Sequence, residues 1–197
     1  MLTKSFNVND TIGVIMNRII ALFIMCIFVI AAVSVGYAGD NKYVGVKSCK
    51  MCHQSEKQGQ QFTVWQKSLH AEAYKTLTKA KAEEIAKAKG LKKPAAESPE
   101  CLTCHTVTAD AKLAEKTFDA KDGVQCETCH GAGSAYKTMN IMKDKAKAIA
   151  AGMTEYKGDA AIEKHCRTCH NEKSPTFKEF KFKAMWDKIK HPVPKKS

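Results

Sequence analysis

The stretch "EKHCRTCHNE" (163–172) sets Cys166 and Cys169 between His165 and His170. Its central pattern occurs three more times, as Cys49-Lys-Met-Cys52-His53, Cys101-Leu-Thr-Cys104-His105 and Cys126-Glu-Thr-Cys129-His130. Eight of the nine cysteines fall in these pairs, and a histidine follows each pair directly. With 7 histidines in 197 residues, four such coincidences have odds of about one in a million, so the histidine belongs to the motif. Two four-cysteine zinc sites would explain the pairing and leave all four histidines unused. A disulfide across two intervening residues closes a small loop and stabilises little. Cys-x-x-Cys-His is instead the attachment sequence of c-type haem, with two thioethers on the porphyrin edge and the next residue under the iron. The sequence therefore predicts four covalent haems c. Cys49, Cys52, Cys101, Cys104, Cys126, Cys129, Cys166 and Cys169 attach them, and His53, His105, His130 and His170 are their proximal iron ligands.

Attachment of this kind takes place outside the cytoplasm, and the N-terminus agrees with it. Met16 and Arg18 precede an apolar run from Ile19 to Val35, then Gly36-Tyr37-Ala38. The small residues Gly36 and Ala38 suit signal-peptidase cleavage after Ala38. Residues 1–38 are read as an upstream extension with a signal peptide, Met16 being a candidate start, and residues 39–197 as a single tetrahaem cytochrome domain. Cys26 lies inside the apolar run and is followed by more apolar residues, which argues against a lipoprotein anchor. An uncleaved run would make a membrane anchor. The expected location is periplasmic or otherwise exported.

The domain has 159 residues, or one haem for about every forty. Four porphyrins then form the core and the chain wraps them, so the apo chain should hold little structure. The organisation reads as mainly α with little or no sheet. "TVWQKSLHAEAYKTLTKAKAEEIAKAKG" (63–90) is a helical stretch stopped by Gly90, and "LKKPAAESPE" (91–100) a surface linker. "KDKAKAIAAG" (143–152) is a helix ending at glycine. Phe182, Met185, Trp186 and Ile189 form an apolar helical stripe before Pro192. Gly131 and Gly133 are read as places where backbone passes close to a porphyrin. The formal charge of +12 becomes +11 without residues 1–38, and eight propionates lower it to about +3. That balance suits redox partner proteins with acidic docking surfaces, and not nucleic acid.

Four irons face three non-motif histidines, His70, His165 and His191. At least one iron therefore takes methionine, another donor or nothing. His70, on a helical stretch, and His191, after the apolar stripe, are the candidate distal ligands. His165 touches Cys166 and is tied to that porphyrin edge, which favours a propionate partner or the surface over an iron. Met139 and Met142 follow the third motif, and Met142 is the better placed candidate ligand.

The chain resembles the tetrahaem cytochrome c-554 family. The likeness rests on the four motifs, the "HAEAY" segment after the first, "GVQCETCHG" at the third and a late histidine after an aromatic-rich helix. It implies His70 as distal ligand to the His130 haem and His191 to the His170 haem. The family takes the first haem's distal histidine from the segment after the third motif. Here that segment offers Met139 and Met142, which points to Met142 on the His53 haem. The likeness also implies an open face at the His105 haem.

The leading functional reading is a periplasmic electron carrier, with no catalytic residues, passing electrons between redox partners of a respiratory chain. The alternative is reduction of nitric oxide or a similar small ligand at an open haem. No Cys-x-x-Cys-Lys motif is present, and all four motifs end in histidine.

Overall fold

Ten short α-helices, joined by turns, carry the fold in the computed structural model, which describes residues 41–107 and 110–193. They are α1 (Val46–His53), α2 (Gln61–Gln66), α3 (Ala73–Leu77), α4 (Ala80–Ala88), α5 (Pro99–His105), α6 (Cys126–His130), α7 (Met139–Met142), α8 (Lys145–Ala150), α9 (Asp159–Cys166) and α10 (Phe182–Ile189). The longest has nine residues, below the dozen or so at which an isolated helix is even marginal in water. Among the described residues the only β pairing is one parallel bridge, Tyr43 with Ala114. The mainly helical class is as expected. The chain divides at Asp40, and everything described belongs to its second unit, Asn41–Ser197. The signal segment, Met16, Cys26 and the cleavage point after Ala38 lie outside the described residues.

Each motif is housed the same way. Motif one ends α1, motif two ends α5, and motif three is the whole of α6. In the fourth, Cys166 ends α9 and the amide of His170 reaches back to its carbonyl at 3.0 Å. A helical turn is what this spacing needs, since it brings both cysteines and the histidine to one side. Helix α1 packs on α6, and α3 packs on α5. The sequence-distant first and third motifs are therefore neighbours.

Two expectations need correction. The stretch 63–90 is not one helix: it breaks into α2, a run of turns, α3 and α4, and His70 stands in the turns. Val124 N donates to the His70 carbonyl at 3.0 Å, and Trp65 Nε1 donates to Val124 O at 2.7 Å. Tertiary bonds to the segment before motif three thus replace the intrahelical ones that Ala, Lys and Glu would favour. Nor is 91–100 a surface linker. Ala95 is 1% exposed and clusters with Leu77 and Ala86 against Leu91, Ala96, Cys101 and Leu102. Ser98 is equally buried and donates to the carbonyls of Lys93 and Pro94. Removing Leu77 from water is worth about 1.5–3 kcal/mol, enough to hold this turn onto α5.

Apart from that cluster the protein interior is thin. Among the described residues the buried apolar side chains are Val44, Val46, Phe62, Leu77, Ala86, Ala95, Tyr136, Ala148 and Phe180. Chain of this length normally buries most of its surface around a side-chain core.

Candidate haem sites

All eight motif cysteines are free thiols, so no disulfide competes for them. Among the described residues no three donors converge as a zinc site would require. The cysteines instead meet between motifs. Cys49 and Cys126 lie close enough to influence each other's thiols, and Cys104 feels the charge of Cys169. Cys129 feels the charge of Cys166 and Cys169. These contacts order the motifs in space as first, third, fourth, second.

Two imidazole pairs cross this row. The ring centres of His70 and His170 lie 6.1 Å apart, and those of His130 and His191 lie 5.9 Å apart. Two imidazoles bonded to opposite sides of one metal at about 2 Å each would have their centres about 6 Å apart, counting the ring radius twice. Each pair joins one motif histidine to one non-motif histidine. The pairing is the reverse of that implied by the family likeness, which matched His70 with His130 and His191 with His170. The physical reason lies in the turns 67–72: the Val124 bond anchors the His70 backbone and aims the ring at the fourth motif.

The surroundings of these rings suit metal ligation. Burial, and then the charges of His191 and His53, push His130 down to about 4. Burial and then His170 lower His70 as well. A neutral imidazole keeps the lone pair that a metal needs. On the far side of His170 the Phe180 ring stacks at 4.8 Å and 20°, and the Arg167 guanidinium sits 5.3 Å from the centre of that Phe180 ring. His105 is held differently. Its Nδ1 donates to the Ala73 carbonyl at 2.8 Å, with Thr76 Oγ1 at 3.2 Å. That bond fixes the tautomer and leaves Nε2 free to ligate.

His53 and His105 have no facing histidine among the described residues. His165 packs on Tyr156, ring centres 5.3 Å apart, and Tyr156 donates to the Cys129 carbonyl at 3.0 Å. It bridges the third and fourth motifs and faces no motif histidine. Met139 is 61% exposed, whereas Met142 is half-buried at the other end of α7.

Room exists where the cofactors are expected. A cavity of about 470 Å³ opens at His170, lined by Arg167, Lys173 and Phe177 among others. Another of about 520 Å³ adjoins Leu102 and Thr106 at the second motif. Both are in the size range of ligand sites, and the Arg167 and Lys173 cations suit propionates. Free thiols, facing imidazoles and the Arg167–Lys173 cavity at His170 together fit haem c, whereas the cavity beside the second motif is lined by Glu97, Asp110 and Asp119.

The sequence reading missed two buried polar groups beside the third motif. Glu127, 2% exposed, accepts from Val44 N, Gly45 N and Gly133 N at 2.7–3.1 Å. Gln125 accepts from Val46 N at 2.7 Å and donates to Asp119 O at 2.7 Å. No local signal marks them, because the amides of Val44, Gly45 and Val46 that they accept lie some eighty residues earlier in the chain. Gly133 is also reinterpreted. A Cβ there would meet Glu127 Oε1 at 3.0 Å and Val44 at 3.2 Å, while one at Gly131 would meet the Gly152 carbonyl at 2.9 Å. The close approaches at these glycines are to protein atoms.

The family described as cytochrome c554 and c-prime matches residues 48–131, which include the first three motifs. Cytochrome c-554 of Nitrosomonas europaea is 28% identical over 145 residues, covering 68% of this chain. The chain is similar to the cytochrome c-554 family over these residues. The likeness is to c-type cytochromes, which agrees with the attachment motifs. The alignment spans 59% of the length of the Nitrosomonas protein. No solved structure matches.

Proposed function

We propose that the protein is an exported carrier that holds four haems and passes electrons between redox partner proteins of a respiratory chain. The observation that carries the reading is the row of four motifs crossed by two facing imidazole pairs. A bound haem supplies a one-electron iron couple. His170 with His70, and His130 with His191, close both faces of two sites and hold them in one geometry, which suits repeated transfer without rearrangement. His105, fixed by the Ala73 carbonyl, holds the second site from one side, with its other face open. Met142 is assigned to the His53 site, where a thioether would raise the potential.

The partners expected are proteins with acidic docking faces, met by a basic surface. Lys87, Lys89, Lys92 and Lys93 lie within seven residues with no acidic residue between them, and all four are exposed. Among the described residues no helix is long and apolar enough to cross a membrane, and attachment to one would need the N-terminal segment uncleaved. Neither the geometry nor the family likeness supports the small-ligand reductase alternative.

The test is stopped-flow oxidation of the reduced holoprotein by a small acidic redox protein at several ionic strengths. Four electrons should leave per chain, at a rate that falls steeply with salt. A different electron count, or a rate indifferent to salt, would overturn the reading.

A further inference from the structure

We infer that Glu127 is a buried fixed anion that lowers the reduction potentials of the first and third haem sites together. Both carboxylate oxygens are used only as acceptors. Oε1 takes the amides of Val44 and Gly133, and Oε2 takes those of Val44 and Gly45. Every donor is a backbone N–H, a set that a carboxylate satisfies and a protonated carboxyl could not match without turning an O–H toward an amide. The side chain is 2% exposed, so counterions and water screen it little.

Its place is between two attachment points. Glu127 follows Cys126 directly in α6. The Gly45 amide that it accepts belongs to the residue whose carbonyl receives the Cys49 thiol at 3.9 Å. The Cys49 and Cys126 thiols lie close enough to influence each other. The negative charge is therefore felt at Cys49, at Cys126 and at the phenol of Tyr136, which donates to the carbonyls of His130 and Gly131. A nearby anion favours the oxidised, more positive state of an iron, by the same Coulomb term that shifts a pKa. At the position that Glu127 holds, the second motif has Leu102 and the fourth has Arg167. The anion is specific to the first and third sites.

Glu127 is a positioning residue as well as a charge, and the two roles give opposite signs. Loosening the junction would admit water and pull the potentials down, because solvent favours the charged oxidised state. Losing the anion pushes them up. Potentiometric titration of haem-loaded Glu127→Gln should show two of the midpoints moved positive and the other two changed much less. Glu127→Asp, which keeps the charge and draws it back by one methylene, should give the same direction with a smaller shift, and it decides the matter if the Gln variant does not load haem. Midpoints that stay put or move negative would overturn the inference and leave Glu127 a purely structural clamp. A wild-type chain that carries no haem c would instead overturn the electron-carrier reading.

Discussion

The third and fourth motifs are crossed by facing histidines, whereas the first and second are not. His130 and His170 each look across about 6 Å at a partner ring, His191 and His70. His53 and His105 have no such partner among the described residues, although His105 is the ring with the best fixed tautomer. Identical five-residue motifs thus receive different surroundings, and the difference comes from segments far away in sequence. The turns 67–72 serve the fourth motif, and the chain after α10 serves the third. A haem motif specifies attachment and one ligand. The second ligand, and with it the electronic character of the site, is set by tertiary structure.

This contrast can be broken in several ways. The largest effect should come from removing the cofactors. A chain with all eight motif cysteines replaced by alanine should lose cooperative thermal unfolding, as followed by circular dichroism, because helices of nine residues or fewer and a thin apolar core do not sustain a fold. A sharp native-like transition would show that the protein core suffices.

Next in size are the facing histidines. His70→Ala and His191→Ala should each turn one low-spin haem high-spin in the visible spectrum, in the His170 and His130 sites respectively. Combining His70→Ala with His170→Ala should perturb one site, while His70→Ala with His130→Ala should perturb two. Equal perturbation by both combinations would break the pairing.

The unpaired sites give the next test. The reduced protein should bind carbon monoxide at one iron, at the His105 site, and Met142→Leu should lower one midpoint potential by removing the thioether while keeping the bulk. No carbon monoxide binding would mean that another donor closes the His105 site. An unchanged set of potentials would reject Met142.

The smallest effect concerns the backbone that aims His70. Gly123 has φ +77°, and a Cβ there would lie 2.5 Å from the His70 carbonyl oxygen, closer than such atoms approach. Gly123→Ala should cost about 1–3 kcal/mol of stability, the range for a non-glycine held in a rare backbone region. It should also raise the high-spin fraction at the His170 site. Thermal unfolding and the visible spectrum together would show it.

The motifs were legible because attachment chemistry is written in local spacing, and the helical class because strand patterns are scarce. The stop at Gly152, φ +103° after α8, and the Phe182–Trp186 stack at 6.3 Å and 11° followed from local signals too. The break at His70 did not. Its Ala, Lys and Glu neighbours favour a continuous helix, and only the Val124 and Gly123 contacts, more than fifty residues on, show why it ends. Ala95 and Ser98 were hidden similarly, in a Lys- and Pro-containing stretch that looks solvated until Leu77 and Ala86 are placed against it. Glu127 looked like motif filler, since two of the three amides it accepts, those of Val44 and Gly45, lie some eighty residues earlier in the chain.

The central claim is that the chain holds four irons and that tertiary structure, not motif order, pairs their ligands. Crystals of the haem-loaded protein measured at the iron absorption edge test this most directly. Four anomalous peaks should be found, one midway between His70 and His170 and one midway between His130 and His191. Fewer than four peaks, or a peak joining His70 to His130 or His191 to His170, would contradict the account.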